Sequence, residues 1–350
     1  MKTLSSIRRE LFLLLTEAFL RLFRFDSYKT ERSGQGAPKL LNSAMRAKKS
    51  FGQHFLTNED IARRIADALT LEGESPKVLE VGPGKGMLTK YLLQKNLDLK
   101  VVEADGDMVT YLQENYPELD DRIIARDFLK LDLTEVFPSN SSNPSNSSNP
   151  SNSSNPSNPS NPSNPSNPSN PSNPSNPSNS SNSSNPSNPQ FLLIGNFPYN
   201  ISSQIVFKMV ENRALIPEMV GMFQKEMAER IIAPPGGKDY GIISVLTQAF
   251  YEGKYLFTVG NRNFNPPPKV LSGVIRLRRK EGSLGCDEAL FRKVVKQAFS
   301  QRRKMLRNTL KPFFNDPSLL EEDFFKQRPE VLSVKDFVEL TQRIAILAEP

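Results

Sequence analysis

The sequence predicts an α/β protein in which a doubly wound parallel sheet is followed by a small helical domain. Two observations support this prediction. From residue 78 to residue 277, short apolar runs typical of buried strands alternate with helical segments, and such alternation indicates strands joined by helical crossovers. After Gly285 the pattern becomes helical to the end of the chain. A glycine-rich turn directly after the first strand is also typical of a nucleotide-binding sheet.

The elements follow in a regular order. The first three strands precede a long polar insertion, the next two strands follow it, and the last two close the sheet. The predicted strands are Val78–Val81, Leu99–Glu103, Arg122–Ala125, Phe191–Gly195, Met219–Phe223, Lys254–Val259 and Gly273–Leu277, with helices over 85–95, 107–115, 202–212 and 225–232.

Two segments differ from this pattern. Residues 1–44 contain apolar residues at three- and four-residue steps with interspersed arginines, which indicates an amphipathic basic helix. We interpret them as an extension outside the fold, with Met45 beginning the working protein. Residues 139–189 are a Ser-Asn-Pro array without apolar side chains, and such a segment is expected to be a disordered loop because it has nothing to bury.

The composition limits the possible functions. The net charge is +7, and thirteen lysines and arginines face only three acids between Lys269 and Lys311. A basic C-terminal third predicts a phosphate-binding surface. Cys286 and His54 are the only cysteine and histidine, so neither an internal disulfide nor a Cys/His zinc site can form. A reducing, cytoplasmic setting fits, and no apolar run approaches the ~20 residues of a membrane span.

The turn Gly82-Pro83-Gly84-Lys85-Gly86 is the first candidate binding element. Glycines between a strand and a helix let backbone N–H groups approach a ligand at the helix N-terminus. Glu103 ends the second strand, where a carboxylate can accept hydrogen bonds from both hydroxyls of a ribose. These features alone fit either a nicotinamide cofactor or S-adenosylmethionine.

Further candidates fall at the carboxyl ends of later strands. Asp127 and Phe128 follow the third strand, where an acid can bind an adenine amino group and a ring can pack on the base. The fourth strand leads into Asn196-Phe197-Pro198-Tyr199. The Asn196 oxygen and the Pro198 carbonyl can accept bonds from an exocyclic amine, and the Tyr199 ring can stack on the heterocycle. The segment 49–56 precedes the first strand and is predicted to cover the cofactor, with His54 in a packing or hydrogen-bonding role.

Taken together, these motifs resemble the small-subunit ribosomal RNA adenine dimethyltransferases. The resemblance runs from about Lys48 to the C-terminus outside the Ser-Asn-Pro array. Two positions differ from the family's common residues, namely His54 in place of Asn and Phe197 in place of Leu or Ile. The matching segments are 51–56, 80–86, Glu103, Asp127-Phe128, 195–200, 223–226, Phe264-Asn265-Pro266-Pro267-Pro268-Lys269-Val270 and Phe299-Ser300-Gln301-Arg302-Arg303-Lys304.

The resemblance implies a Rossmann-like class I S-adenosylmethionine-dependent methyltransferase that forms N6,N6-dimethyladenosine at two adjacent adenosines near the 3′ end of 16S rRNA in the 30S subunit. It implies a methyltransferase domain over 45–280 and a helical rRNA-binding domain over 285–350, acting as a cytoplasmic monomer in ribosome biogenesis. By position, the cofactor ligands are His54, Leu56, Gly82, Glu103, Asp127 and Asn196; the catalytic residues are Asn196, Pro198 and Tyr199; and the RNA-binding residues are Arg302, Arg303, Lys304 and Arg307.

Three other functions remain as alternatives. Related Asn-Pro-Pro-Tyr motifs serve methyltransferases that act on DNA adenine or protein glutamine. A methylase of large-subunit rRNA would share most of the cofactor motifs. A binding protein that kept the fold without catalysis is the non-enzymatic alternative. The basic helical tail favours RNA, and the intact Asn196–Tyr199 motif favours catalysis.

Overall fold

The structure, a computed structural model, describes residues 54–138 and 189–348. The predicted amphipathic helix within residues 1–44 therefore lies outside the described residues. The same holds for Met45 and for the Ser-Asn-Pro array apart from Pro189. Within the described ranges, no helix is long and apolar enough to cross a membrane.

The described residues alternate between strands and helices in the order that the sequence predicts. The strands are β1 (Phe55–Leu56), β2 (Lys77–Val81), β3 (Asp98–Val102), β4 (Ile123–Ile124), β5 (Leu192–Asn196), β6 (Glu218–Gln224), β7 (Tyr251–Val259), β8 (Phe264–Asn265) and β9 (Ser272–Arg279). The α-helices are α1 (Glu59–Asp67), α2 (Thr89–Leu92), α3 (Gly106–Asn115), α4 (Ser202–Glu211), α5 (Lys225–Ile231), α6 (Ile242–Gln248), α7 (Glu288–Ala298), α8 (Leu306–Thr309) and α9 (Val334–Ala348).

Seven strands form one sheet in the order β4-β3-β2-β5-β6-β9-β7. The first five of these pair in parallel, as predicted, but β9 pairs antiparallel with both β6 and β7. The predicted parallel sheet therefore holds for five strands and is antiparallel at this edge. The physical reason lies in β7, whose residues are mostly half-exposed or exposed, because antiparallel edge strands tolerate a solvated face.

The predicted helix over 85–95 is the other element that differs. The α-helix spans only Thr89–Leu92. Gly86 has a φ of +74°, which lies outside the helical region, so a helix cannot run through it. Position 86 must also stay small, because an added Cβ would lie 2.4 Å from the Tyr116 ring. Two helices, α1 and α6, and the short β1–β8 pair were not predicted.

Apolar side chains cover both faces of the sheet. Leu79 of β2 packs on one face with Ile205 of α4 and Ala228 of α5. The neighbouring Val78 packs on the opposite face with Ile65 of α1. Alternation along a strand sends successive side chains to opposite faces, so an apolar run is buried on both. Each fully buried Leu, Ile or Val contributes about 1.5–3 kcal/mol.

The helical region after Gly285 packs directly onto the sheet domain. Val245 of α6 shares one apolar cluster with Phe291 and Val295 of α7. The Asp287 side chain accepts a hydrogen bond from the Leu290 N–H and begins α7, which satisfies one of the free N–H groups of its first turn. The predicted division between residues 280 and 285 stays a prediction, and apolar contacts run across it.

Candidate active site

A cavity of about 500 Å³ lies at the carboxyl ends of β2, β3 and β5. In a parallel sheet, the crevice outside these strand ends is the usual place for a ligand, and the volume is within the ~300–1,000 Å³ of small-molecule sites. The structure brings every predicted cofactor and catalytic residue to this cavity: its lining includes His54, Leu56, Gly82, Glu103, Asp127, Asn196, Pro198 and Tyr199.

The glycine-rich turn forms the floor of the cavity. Gly82 has a φ of +69°, and its N–H donates to the Val102 carbonyl at 2.9 Å. Gly84 has a φ of +55°, and a Cβ added there would lie 3.0 Å from the Phe55 ring. Both backbone conformations favour glycine. The turn thus keeps a bare backbone surface against which a ligand can lie.

Glu103 is a fixed acceptor at the side of this cavity. Its Oε1 accepts hydrogen bonds from the N–H groups of Ala104 and Asp105, both at 2.9 Å, and its Oε2 accepts one from Gly84 N–H at 3.1 Å. Burial raises the pKa of Glu103, and the three N–H groups counter this rise. Three backbone bonds fix both oxygens in place, so their remaining lone pairs are positioned in advance for hydroxyl donors.

Glu80 is a second acid at the cavity, and sequence analysis assigned it no role. It is almost fully buried on β2, where Thr89 Oγ1 donates to its Oε2 at 2.7 Å. Burial raises the pKa of Glu80 to about 8, the Thr89 bond lowers it, and the neighbouring Glu103 adds a smaller rise. An acid inside an apolar strand, two residues before the glycine turn, is the signal that could have identified it.

The loop after β4 carries Asp127. Asp127 Oδ1 accepts a hydrogen bond from Leu129 N–H at 3.0 Å, which fixes the carboxylate, and Phe128 is buried beside it. Lys208 of α4 donates to the carbonyls of Leu129 and Leu131 at 3.0 and 2.6 Å. Lys208 was missed by sequence analysis, because an amine that binds backbone carbonyls leaves no motif. It ties the Asp127 loop to the helix that follows Asn196.

The segment before α1 pairs with the proline-rich segment 264–270, which is one of the segments that match the family. β1 and β8 form an antiparallel pair, with Phe55 opposite Asn265 and Leu56 opposite Phe264. The His54 Nδ1 atom lies 2.8 Å from the Pro266 carbonyl oxygen. This backbone pairing holds His54 and Leu56 against the cavity, and whether the pair covers a cofactor stays a prediction.

Asn196 and Tyr199 are oriented by different partners. Asn196 Nδ2 donates to the His54 carbonyl at 3.0 Å, and no described residue donates to its Oδ1, which remains an acceptor. The Tyr199 hydroxyl is 2.6 Å from Ser272 Oγ, and its ring centroid is 5.5 Å from that of His54 at 30°. Burial raises the pKa of Tyr199, so the phenol stays neutral at physiological pH.

Pro198 and Phe197 complete the motif in different ways. The Pro198 carbonyl accepts a hydrogen bond from Ile201 N–H at 3.2 Å and keeps a second lone pair. Phe197 points into the core instead, with its ring centroid 5.1 Å from that of Phe223. A Cβ at Gly221 would lie 2.3 Å from the Phe197 ring, so the bulky residue at 197 requires a glycine on the neighbouring strand.

The predicted RNA-binding residues lie outside the cavity lining. Arg302 binds backbone carbonyls of the 237–240 loop, including that of Tyr240 at 2.9 Å, and Arg307 lies 3.5 Å from Glu321. Arg303 and Lys304 are exposed and have no ionic partner among the described residues. RNA binding by these four residues stays a prediction. No group of three metal-ligating side chains occurs in the part of the chain that the structure describes.

Comparison with known proteins agrees with this geometry. Residues 44–340 match the family model described as ribosomal RNA adenine dimethylase. The chain is 48% identical over 301 residues to ribosomal RNA small subunit methyltransferase A of Flavobacterium johnsoniae, covering 86% of this chain and 96% of that protein. The protein of the same name from Bacteroides thetaiotaomicron is 45% identical over 302 residues, covering 86% and 94%.

Solved structures share the fold. A dimethyladenosine transferase from Plasmodium falciparum superposes with a TM-score of 0.60 at 23% identity, covering 84% of this chain and 98% of that one. The 23S rRNA methyltransferase ErmE superposes with a TM-score of 0.52 at 21% identity, covering 83% and 99%. The described residues thus adopt a class I methyltransferase fold with added C-terminal helices.

Proposed function

The chain belongs to the ribosomal RNA adenine dimethylase family, and from this premise we propose that it dimethylates N6 of two adjacent adenosines in 16S rRNA. The adenosines are those of the hairpin loop near the 3′ end, in the 30S subunit. The protein is an S-adenosylmethionine-dependent methyltransferase acting on rRNA adenine. We further propose that it works as a cytoplasmic monomer during small-subunit biogenesis.

The observation that carries the proposal is that Asn196 and Tyr199 line the same cavity as Glu103 and Asp127. Asn196 supplies an acceptor for an exocyclic amine, and Tyr199 supplies an aromatic face. Glu103 and Asp127 supply acceptors suited to a ribose and an adenine. A cofactor nucleoside and a target base would therefore lie side by side in one cavity.

The residues fit S-adenosylmethionine. The bare backbone at Gly82 and Gly84 can lie against the methionine portion, Glu103 would hold the ribose, and Asp127 with Phe128 would hold the adenine. His54 and Leu56 would close the cavity from the β1–β8 side. When bound, the cofactor supplies a methyl group made electrophilic by its sulfonium.

Residues of the chain can orient adenine N6, which is a weak nucleophile. The lone pair of adenine N6 is delocalised into the ring, so the amine attacks only when that lone pair is directed at the methyl group. Asn196 Oδ1 and the Pro198 carbonyl accept the two N6 hydrogens and favour tetrahedral geometry. Tyr199 stacks on the ring of a base that has left its loop. Such orientation supplies about 7–11 kcal/mol of the barrier in favourable cases.

Proton removal requires no dedicated base in this arrangement. The proton leaves after methyl transfer, when N6 carries a positive charge. Asn196 cannot accept a proton, and burial keeps the Tyr199 phenol protonated by raising its pKa. We propose that water takes the proton. The second methylation uses the same geometry with one N6 hydrogen left to bind.

The test is methylation of ribosomal particles that lack the modification. Purified protein with tritiated S-adenosylmethionine should label 30S particles, and nuclease digestion should release N6,N6-dimethyladenosine. Particles of 50S, duplex DNA and a glutamine-containing peptide serve as the competing substrates. Labelling of 50S particles in preference to 30S would refute the proposal, as would labelling of DNA or peptide alone.

A further inference from the structure

Asn263 lies in the turn that joins β7 to β8, and it binds the segment that follows β1. Its backbone carbonyl accepts hydrogen bonds from the Thr57 N–H at 2.8 Å and from Thr57 Oγ1 at 3.0 Å. Its Oδ1 accepts a bond from Asn58 Nδ2 at 2.9 Å, and its Nδ2 donates to the Gly260 carbonyl at 2.9 Å. A side-chain amide that accepts and donates at once is held in a single orientation. Asn263 therefore fixes residues 57–58 to the turn after β7.

These bonds determine where β1 lies. β1 and β8 each contain two residues, and a two-stranded pair is marginally stable alone. The bond from Thr57 N–H extends the β1–β8 pairing by one residue. Asn58 joins β1 to α1, because its own Oδ1 accepts the Ile61 N–H at 3.1 Å. The position of the β1 backbone thus depends on Asn263 at its carboxyl end.

The amino end of β1 reaches the candidate active site. The His54 carbonyl accepts a hydrogen bond from Asn196 Nδ2 at 3.0 Å. The torsion about χ2 of an asparagine is broad, and a rotation of about 180° exchanges its oxygen and its nitrogen. The His54 carbonyl selects the rotation in which Nδ2 points at the backbone and Oδ1 remains as the acceptor. Without this carbonyl, Asn196 could present a donor to an amine whose hydrogens need an acceptor.

We propose that Asn263 is a positioning residue for methyl transfer. It fixes residues 57–58, which fix the His54 carbonyl, and that carbonyl fixes the amide of Asn196. The inference rests on the proposed function, because it takes Asn196 Oδ1 as the acceptor of the N6 hydrogens. Asn263 directly precedes the segment 264–270 and lies outside every segment that matches the family. Methyl transfer is sensitive to such positioning, since a misplacement of about 1 Å can cost about 100-fold in rate.

The experiment measures single-turnover methylation of unmethylated 30S particles at saturating S-adenosylmethionine. Asn263→Ala should lower the rate roughly 10- to 100-fold, while its affinity for 30S particles stays at the wild-type value. Asn261→Ala is the matched control, because it removes the same side chain from the same turn. Asn261 makes no side-chain hydrogen bond among the described residues, so this variant should keep the wild-type rate.

Asn58→Asp removes a single bond of this arrangement. The aspartate keeps the oxygen that caps α1, but it cannot donate to Asn263. It should therefore lower the rate in the same direction as Asn263→Ala, at a nearly unchanged melting temperature. Asn58→Asp also provides the test if Asn263→Ala does not fold.

A double-mutant cycle examines the route through Asn196. Asn263→Ala should lower the rate of the Asn196→Ala protein less than it lowers that of wild type, because effects through a shared partner are not additive. In nuclear magnetic resonance spectra, the side-chain amide hydrogens of Asn196 should exchange with solvent faster in Asn58→Asp than in wild type.

Four outcomes would overturn the positioning role. They are a wild-type rate in Asn58→Asp or Asn263→Ala, an equal loss of rate in Asn261→Ala, additive losses in the cycle, and unchanged exchange of the Asn196 amide. Wild-type protein that labels 50S rather than 30S particles would reject the proposed function alone, since the ratios between variants can be measured on either particle.

Discussion

Tyr199 and Ser272 join the loop after β5 to the first residue of β9 through hydroxyl oxygens 2.6 Å apart. Ser272 is fully buried, whereas Tyr199 lines the cavity. The phenol hydroxyl is thus held by a buried residue of the sheet. This orientation leaves the ring face for stacking and gives the hydroxyl a purely structural partner.

Tyr199→Phe should therefore leave methyl transfer within a few-fold of wild type, while Tyr199→Ala should be severely impaired. Stacking on a base contributes about 1–3 kcal/mol, and the phenylalanine ring retains it. Single-turnover methylation of 30S particles at saturating cofactor measures both. Ser272→Ala is the matched control, because it loses the same hydrogen bond from the other side. If Tyr199→Phe were as damaging as Tyr199→Ala while Ser272→Ala stayed active, the hydroxyl would have a chemical role.

Glu103→Ala should weaken S-adenosylmethionine binding at least tenfold. A charge-assisted hydrogen bond contributes about 1.5–3 kcal/mol, and the variant loses those to both ribose hydroxyls. Calorimetry with the isolated protein gives the affinity directly. Glu252→Ala, an exposed acid on β7, controls for loss of charge. Unchanged affinity in Glu103→Ala would remove this residue from the cofactor site.

Glu80 gives a pH dependence with a defined sign. Its pKa in the folded protein is about 8, above the ~4.3 of an unfolded glutamate. Between these values the folded state binds more protons, so Glu80 makes stability fall as pH rises from about 4.5 to 8. Glu80→Gln should remove this component and flatten the curve of melting temperature against pH for the cofactor-free protein. A curve parallel to that of wild type would show that Glu80 is already ionised in the fold.

Asn196→Ala should reduce methyl transfer far more than it reduces binding to 30S particles. The Oδ1 acceptor matters most as N6 becomes tetrahedral, so its loss raises the barrier more than it weakens the ground state. The comparison is single-turnover rate against equilibrium affinity. The bond from Asn196 Nδ2 to the His54 carbonyl predicts that Asn196→Asp is also impaired, because a carboxylate cannot donate. Equal losses in rate and affinity would make Asn196 a binding residue only.

Lys208→Met should raise the dissociation constant of S-adenosylmethionine several-fold with a smaller effect on the saturated rate. The variant keeps the length of the side chain but leaves the carbonyls of Leu129 and Leu131 without their donor, so the Asp127 loop loses its support. Lys293→Met, at an exposed position of α7, is the control. A change in rate without a change in affinity would contradict this positioning role.

The parallel part of the sheet could be predicted because the pattern that indicates each strand lies within a few consecutive residues. Buried strands such as Val78–Val81 appear as apolar runs, and strand ends in a parallel sheet meet at one edge, so Glu103, Asp127 and Asn196 could be assigned to one cavity. The direction of β9 could not be predicted. It depends on pairing between Ser272 and Gln224, two residues far apart in sequence with no local signal of orientation.

The same distinction between local patterns and contacts of residues far apart in sequence applies to the candidate site. Gly82 and Tyr199 belong to motifs and were identified, whereas Lys208 binds backbone carbonyls, which any sequence provides. Arg302, Arg303 and Lys304 look equivalent in sequence as three adjacent cations. Only the fold separates them, because it places the carbonyls of Gly237, Lys238 and Tyr240 at Arg302. The other two have no ionic partner among the residues that the structure describes.

The apolar cluster shared by α6 and α7 fixes the helical region against the sheet domain. Val245 belongs to the sheet domain and Phe291 to the helical region, and both are completely buried in one core. A helical region packed in this way cannot move independently of the sheet domain. We therefore expect a fixed span between its cations and Tyr199, by which the protein would measure the distance from a bound rRNA backbone to the target adenosine. The adenosine to be methylated would then be selected by its distance from the bound RNA backbone as much as by its identity.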